Sequence, residues 1–382
     1  NNGEVFRIMA SNAKNLAELL NQDSTVAVGD IADGSVTTAK LAADAVTAAK
    51  LADNAVVTAN VTDGAVTAAK TTGVGKGKNI LINGSFNHWQ RGNSFSSNVY
   101  GSDRWKFYAP GGHAYARSTD TPDSPNNFKY SASVGGSGDA TGLTQFVEGI
   151  NATHVPSSGS TKVILSFYLK HTTNSGTAKI TSVVGTMDSI NNSGASTNRS
   201  TQNHNTTTSW ARYTHEMTGA DLTAAVTNGL VVTIKHNGSG TTAFLLTGCQ
   251  LEISESVTDF ERLSFGEELM LCQRYYCEAK NNSGATRYFG QLQAYASSAV
   301  YGVLRLYPVE MRAVPTVGQS GSWGAYKGNS GDAGVASTIG SLVGTSYSWN
   351  TEAWGSGSGM TAGDMCVIYA INGAKLTADA EI

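Results

Sequence analysis

From residue 31 to residue 70 apolar and polar positions recur every ten residues: IADGSVTTAK, LAADAVTAAK, LADNAVVTAN, VTDGAVTAAK. Its larger apolar residues fall at a five-residue step: Ile31, Val36, Leu41, Val46, Leu51, Val56, Val61 and Val66. On an α-helix that step turns the side chain by about 140°, so no single apolar stripe forms. On a strand it flips the face, which excludes one straight strand. The Asp-Gly, Asp-Ala and Asp-Asn pairs near each unit's start favour turns or caps. Each decapeptide is therefore predicted as a short element plus a turn. One unit cannot build a core, whereas three chains side by side can bury these positions as a trimeric shaft. The alternative is a flexible Ala/Thr linker.

Before the repeats, Asn12 to Asn21 predicts a short helix with Leu16, Leu19 and Leu20 on one face. Such a helix is marginal alone and needs a copy or an attachment site to pack on. After them, alternation at period two appears. Lys162 to Lys170 (KVILSFYLK) sets Val163, Leu165, Phe167 and Leu169 on one face, and Leu230 to Lys235 and Ala243 to Leu246 read as further strands. Gly, Ser, Asn and Thr clusters between them punctuate a β-sandwich. Gly266 to Glu278 (GEELMLCQRYYCE) predicts a helix with Leu269, Cys272 and Tyr276 on its apolar face, joined by Leu271 and Tyr275. Strands at Tyr301 to Tyr307 and Met365 to Ala370 complete a small α+β unit.

Composition narrows the function. Of 382 residues only 14% are charged, the net charge is -3, and 43 are glycine against 6 proline. That is well under the charge content of an ordinary soluble enzyme and leaves no basic footprint for nucleic acid or anionic membrane. No run is apolar enough to span a bilayer. The N-terminus shows neither a signal-peptide pattern nor a methionine, and Met9 opens a plausible start, so residues 1–8 read as an upstream piece or processing remnant. Cys249, Cys272, Cys277 and Cys366 have no metal-ligand spacing and are expected as buried free thiols.

Sequence signals for chemistry are sparse. GVGKGKN (73–79) fails as a phosphate loop, because Asn79 stands where Ser or Thr is required, and reads as a hinge. His204 and His215 are the one close histidine pair, too little for a metal site. Glu148, Glu252, Glu255, Asp259, Glu261, Glu267 and Glu268 are available carboxylates, but nothing places two of them across a sugar. No catalytic residue, metal or cofactor is assigned.

Aromatic residues mark two places. Phe86, Trp89 and Trp105 suit a plug at one end of the sandwich, with Arg91, Asp103 and Arg104 as an ion-pair lock beside them; ligand contact is the other reading. In the Gly/Ser-rich stretch 318–359 lie Trp323, Tyr326, Tyr347, Trp349 and Trp354. Rings in polar loops suit stacking on sugars, which makes these five the receptor or glycan-binding candidates. They also serve to pin long loops or to bury between subunits, and on sequence grounds that second reading is favoured.

Three segments together resemble a family. NILINGSFNHWQRGNSF (79–95) with YGSDRW (100–105), LTGCQLEISESVTDFERLSFGEELMLCQRYY (246–276) and PVEMRAVPTVG (308–318) are similar to the entry, exit and following strand of a β-sandwich module of bacteriophage tail fibres. Ala/Val/Thr/Lys decapeptides are common in such fibres too. The resemblance implies a homotrimeric virion fibre whose distal domains meet the host surface, with other tail or capsid proteins as partners through the N-terminus. Loops 106–160 and 171–230 match no motif, so no ligand transfers.

The expected architecture is mainly β. An N-terminal attachment segment (1–30) precedes a decapeptide-repeat shaft (31–72) and a hinge (73–78). A jelly-roll β-sandwich (79–263) and a small α+β tip (264–382) follow. The expected function is host recognition through surface polysaccharide, without nucleic acid or membrane insertion. A capsid decoration or tail-adaptor protein is one alternative, and a polysaccharide depolymerase is another.

Overall fold

The computed structural model describes parts of the repeat region between residues 34 and 61, and residues 77–382 except 97, 109–112, 124–126, 138–140, 173–175, 188–195, 223–224, 238–240, 282–284, 298, 328–330, 337–338, 354–359 and 372. The chain divides into two compact units, Asn1–Thr67 and Ala68–Ile382. The helix expected at Asn12 to Asn21, the shaft positions Ile31 and Val66, and Trp354 lie outside the described residues.

In the first unit each described decapeptide closes on itself. The backbone N–H groups of Lys40 and Lys50 donate to the carbonyls of Thr37 and Thr47. The same lysines reach back with Nζ to the carbonyls of Ser35 and Ala45, at 2.7 and 2.8 Å. These bonds close one short turn at the end of each of the first two repeats, a 3-10 helix at Thr38–Lys40 in the first. Val36, Leu41, Val46, Leu51 and Val56 are exposed, at 46 to 60% of their surface, and Val61 is half-buried.

The second unit is mainly β, and all of its strand pairs are antiparallel. Twelve strands form two facing six-stranded sheets. The first runs, edge to edge, Ser94–Ser96, Ala114–Ser118, Ser131–Ser137, Thr241–Ile253, Lys162–His171, Ala211–Thr218. The second runs Val99–Tyr100, Lys106–Tyr108, Gly142–Val147, Leu230–His236, Gly176–Met187, Ser196–Thr206. The chain passes repeatedly between the sheets, as in a jelly roll. Val163, Leu165, Phe167 and Leu169 all point into the core, where they meet Leu143, Ile180, Val184, Val232 and Ile234 of the opposite sheet. The period-two pattern places these buried rows as expected.

Past residue 263 the predicted helix is shorter than its pattern. It spans Phe265–Gln273, capped by Ser264 and Glu267, each side chain bonded to the other's backbone N–H. Tyr276–Lys280 is a strand instead, paired with Lys375–Asp379. Tyr275 and Tyr276 turn inward at the junction with the sandwich, and that burial outweighs helical continuity. The helix buries Glu268 and Cys272, while Met270 and Leu271 stay exposed.

The remaining strands build a second two-layer unit. A three-stranded sheet, Tyr276–Lys280, Lys375–Asp379, Thr316–Ser320, covers one face of a seven-stranded sheet. The larger sheet runs Gly331–Ala336, Trp323–Lys327, Met365–Ala370, Arg287–Ala296, Ala299–Leu306, Ser348–Ala353, Ser341–Gly344. The stretch 318–359, read from composition as flexible loops, therefore contributes four strands to this sheet.

Candidate functional site

The entry and exit motifs of the sandwich close on one another. Asn79 donates to the Cys249 carbonyl and accepts from the N–H groups of Leu81 and Leu251. Glu261 accepts from the backbone N–H groups of Gly77 and Asn79, at 2.7 Å for the latter. Gln250 accepts from Glu261 N–H, and Glu252 accepts from Gln250 and Thr258. Gly84 lies so close to the Cys249 carbonyl that a Cβ would collide with it. Thus the 73–79 segment ends in a clasp, with Lys78 Nζ donating to Thr258 Oγ1 and the Asp259 carbonyl.

Phe86, Trp89 and Trp105 are buried in the sandwich core. The lock beside them exists and extends further than the sequence showed. Arg91 is 3.7 Å from Asp103, 3.0 Å from Asp379 and 3.5 Å from Glu381, and Arg104 pairs with Glu381. Burial pushes the Asp103 carboxyl up to about 6, with Arg91 opposing that rise. Arg312, from the PVEMRAVPT segment, donates to the carbonyls of Ala380 and Glu381 and faces Glu148 at 3.9 Å. Glu148 also accepts from Arg274 and from the Tyr275 hydroxyl at 2.8 Å. The resembling motifs hold the sandwich to the C-terminal unit.

The carboxylates considered for sugar chemistry are mostly committed to this framework. Glu148, Glu252, Glu261 and Glu267 accept the bonds just described, and Glu268 faces His88 at 3.4 Å. His204 and His215 do meet, bridged by Ser182 Oγ at 2.7 and 2.9 Å, and Ser200 takes the other His215 nitrogen. Burial pushes both imidazoles down to about 4. Among the described residues no three ligating side chains cluster for a metal.

The receptor candidates separate. Trp323 and Trp349 are corrected to core residues, 0 and 1% exposed. Trp349 donates to the Thr377 carbonyl of the opposite sheet at 3.0 Å, and Trp323 packs edge-on against Phe289. A fully enclosed ring offers no face to a sugar. Tyr347 is exposed on the turn before Ser348–Ala353, with its hydroxyl bonded to Glu310. Among the described candidates, Tyr326 alone joins an exposed aromatic group.

That group lies on the uncovered face of the seven-stranded sheet. Register places Tyr288 opposite Tyr369, Gln291 opposite Val367, Gln293 opposite Met365 and Tyr301, and Tyr326 opposite Val367. Their alternate neighbours Leu292, Ala294, Cys366 and Ile368 are buried beneath. Two hollows open on this face. The first, about 590 Å³, is lined by Tyr288, Phe289, Gly290, Gln291, Tyr326 and Val367. The second, about 680 Å³, is lined by Gln293, Ala294, Tyr295, Tyr301, Ala362 and Gly363. In each, two tyrosines meet at an angle: Tyr288 and Tyr326 at 62°, Tyr295 and Tyr301 at 88°. Gly324 leaves room for the Tyr369 ring, which supports Tyr326 at 4.7 Å. The sequence carried a signal that composition hid: in YFGQLQAYA (288–296), Gln291, Gln293 and Tyr295 alternate with Leu292 and Ala294.

No family model matches the chain, and no curated protein matches it. Solved structures do. The CBM22-1 xylan-binding domain from Paenibacillus barcinonensis is 16% identical over 43% of this chain and 94% of its own, with a TM-score of 0.28. The C-terminal family 22 carbohydrate-binding module of Clostridium thermocellum Xyn10B is 14% identical over 44% of this chain and 97% of its own, at 0.30. The enzymatically active domain of tailspike protein 4 from bacteriophage CBA120 is 14% identical over 46% of this chain and 21% of its own, at 0.30. Among the described residues no helix is long and apolar enough to cross a membrane.

Proposed function

We propose that this chain is a non-catalytic virion fibre that recognises glycan on the host surface through its C-terminal unit. One observation carries the reading: the open face of the seven-stranded sheet presents paired tyrosines and glutamines above two hollows. Tyrosine rings pack on the apolar C–H faces of sugars, and glutamine amides both donate to and accept from hydroxyls. Binding rather than cleavage fits the carboxylates, most of which are spent on backbone and arginine partners in the framework.

The virion role rests on the sequence resemblance and on the repeats. At five successive steps, Val36, Leu41, Val46, Leu51 and Val56, the apolar side chain lies exposed in a single chain. A homotrimer is the state that buries them, with the N-terminal segment joined to other tail or capsid proteins. Three sites on one fibre raise the effective concentration of weak contacts, so millimolar single-site affinity suffices for attachment. Purified intact protein is expected to bind susceptible cells and to slow adsorption of the parent virus. Failure of both overturns the reading. Light scattering is expected to give about three times the 39.8 kDa chain mass; a monomer removes the shaft.

A further inference from the structure

Resting on the glycan reading above, we infer that the ligand is an uncharged, linear oligosaccharide lying along strand Arg287–Ala296, with one sugar in each tyrosine-walled hollow. Both hollows border this strand, one through Tyr288 and Gln291 and the other through Gln293 and Tyr295. Tyr288 and Tyr295 are seven positions apart, but the bulge between Tyr288 and Gly290 absorbs one residue and keeps both rings on one face, leaving six steps, about 20 Å at roughly 3.3 Å per residue, the reach of about four sugar rings. Between them stand Gln291 and Gln293, both exposed and both outward. A single extended chain would meet a ring wall, two amides and a second ring wall in succession.

Charge selects the class. The residues lining the two hollows are all uncharged; at their margin the Arg305 guanidinium lies 5.8 Å from the Phe289 ring centroid and Asp332 is the register partner of Tyr326, one charge of each sign. Arg287 shares its register position with buried Ala370, on the opposite side of the strand pair. The Asp364 carboxylate is turned to the backbone N–H of Thr361 at 2.8 Å. A carboxylate or phosphate seated within either hollow would therefore lose water without gaining an ionic partner in the lining itself. The angled ring pairs add a floor and a wall for one pyranose each, which favours discrete end sugars over a uniformly gripped polymer.

The test uses an array of neutral and anionic oligosaccharides two to eight sugars long, followed by solution titration of the intact protein with each binder. Neutral chains of about four sugars or more are expected to bind, and disaccharides about tenfold or more weakly, a step worth about 1.4 kcal/mol. Tyr288→Ala and Tyr295→Ala are each expected to lower affinity for the long chains about tenfold. Both rings are mostly exposed, at 68 and 73%, so the melting temperature should hold. Preference for anionic chains, equal affinity for short and long ones, or loss at only one tyrosine overturns this inference and leaves the glycan reading standing. An array without any binder overturns the glycan reading itself. A change of oligomeric mass in the variants shows the face to be a contact between copies, which also overturns the inference.

Discussion

The guanidinium of Arg104 lies over the ring of Tyr275, its central carbon 3.4 Å from the ring centroid, while it pairs with Glu381. Arg104 itself stands at φ 72°, a backbone region that non-glycine residues seldom adopt. The residue is fully buried, so its charge depends on these partners. Removing one side of a buried pair leaves an uncompensated charge and costs about 3–5 kcal/mol. Glu381→Ala is therefore expected to destabilise the second unit by about that amount in urea titration. Arg104→Met, which removes the stranded cation, should cost less in the Glu381→Ala background than in the native chain.

Gly324 is a second point of close approach. A Cβ there would enter the Tyr369 ring, which in turn supports Tyr326. Gly324→Ala is expected to cost about 1–3 kcal/mol as an overpacked site. If the proposed glycan site is right, it should also weaken sugar binding at the first hollow while leaving contacts at Tyr295 intact. Urea midpoints and ligand titration read the two effects separately.

The bridged histidines make the sandwich sensitive to acid. Burial lowers both imidazoles, His204 adds to the lowering at His215, and Asp221 opposes it there. Their folded values, about 4, lie below the ordinary 6.5. The unfolded chain then takes up protons first as pH falls. Stability is full above about 6.5 and declines down to about 4. Calorimetry across this window should show a falling melting temperature, and His204→Gln with His215→Gln should flatten that slope relative to the native protein.

All four cysteines are buried and free. Burial raises the thiols of Cys249 and Cys272 well above their ordinary value and pushes Cys277 up to about 12. Thiolate is the reactive form. Ellman's reagent at pH 8 is expected to find almost no reactive thiol in the native protein and all four in denaturant. Rapid native labelling of any one would contradict the burial described.

Strands with strict alternation were legible from residue types alone. Val163 to Leu169 and Met365 to Ala370 lie where the pattern puts them, because a two-sided strand needs no information beyond its own period. The aromatic stretch was misread for a related reason. Trp323 and Trp349 sit among glycines and serines, which lower local hydropathy, yet each is the one bulky inward residue of a short strand. Which face of a sheet receives a covering layer is decided by residues far along the chain, here Lys375–Asp379 and Thr316–Ser320. The tyrosine face follows from that remote choice. The ion-pair lock was half legible: Arg91, Asp103 and Arg104 announced themselves together, while Asp379 and Glu381 stand more than 270 positions later.

That separation carries a consequence for synthesis. A ribosome completes the whole sandwich, through Ile253, more than a hundred residues before Asp379 and Glu381 emerge. Until then Arg91 and Arg104 await their C-terminal carboxylates, and the sandwich end stays incompletely neutralised. A chain interrupted shortly before residue 379 would carry nearly every strand and still lack its keystone charges. Quality control by proteolysis would therefore distinguish a finished chain from an almost finished one by its last few residues.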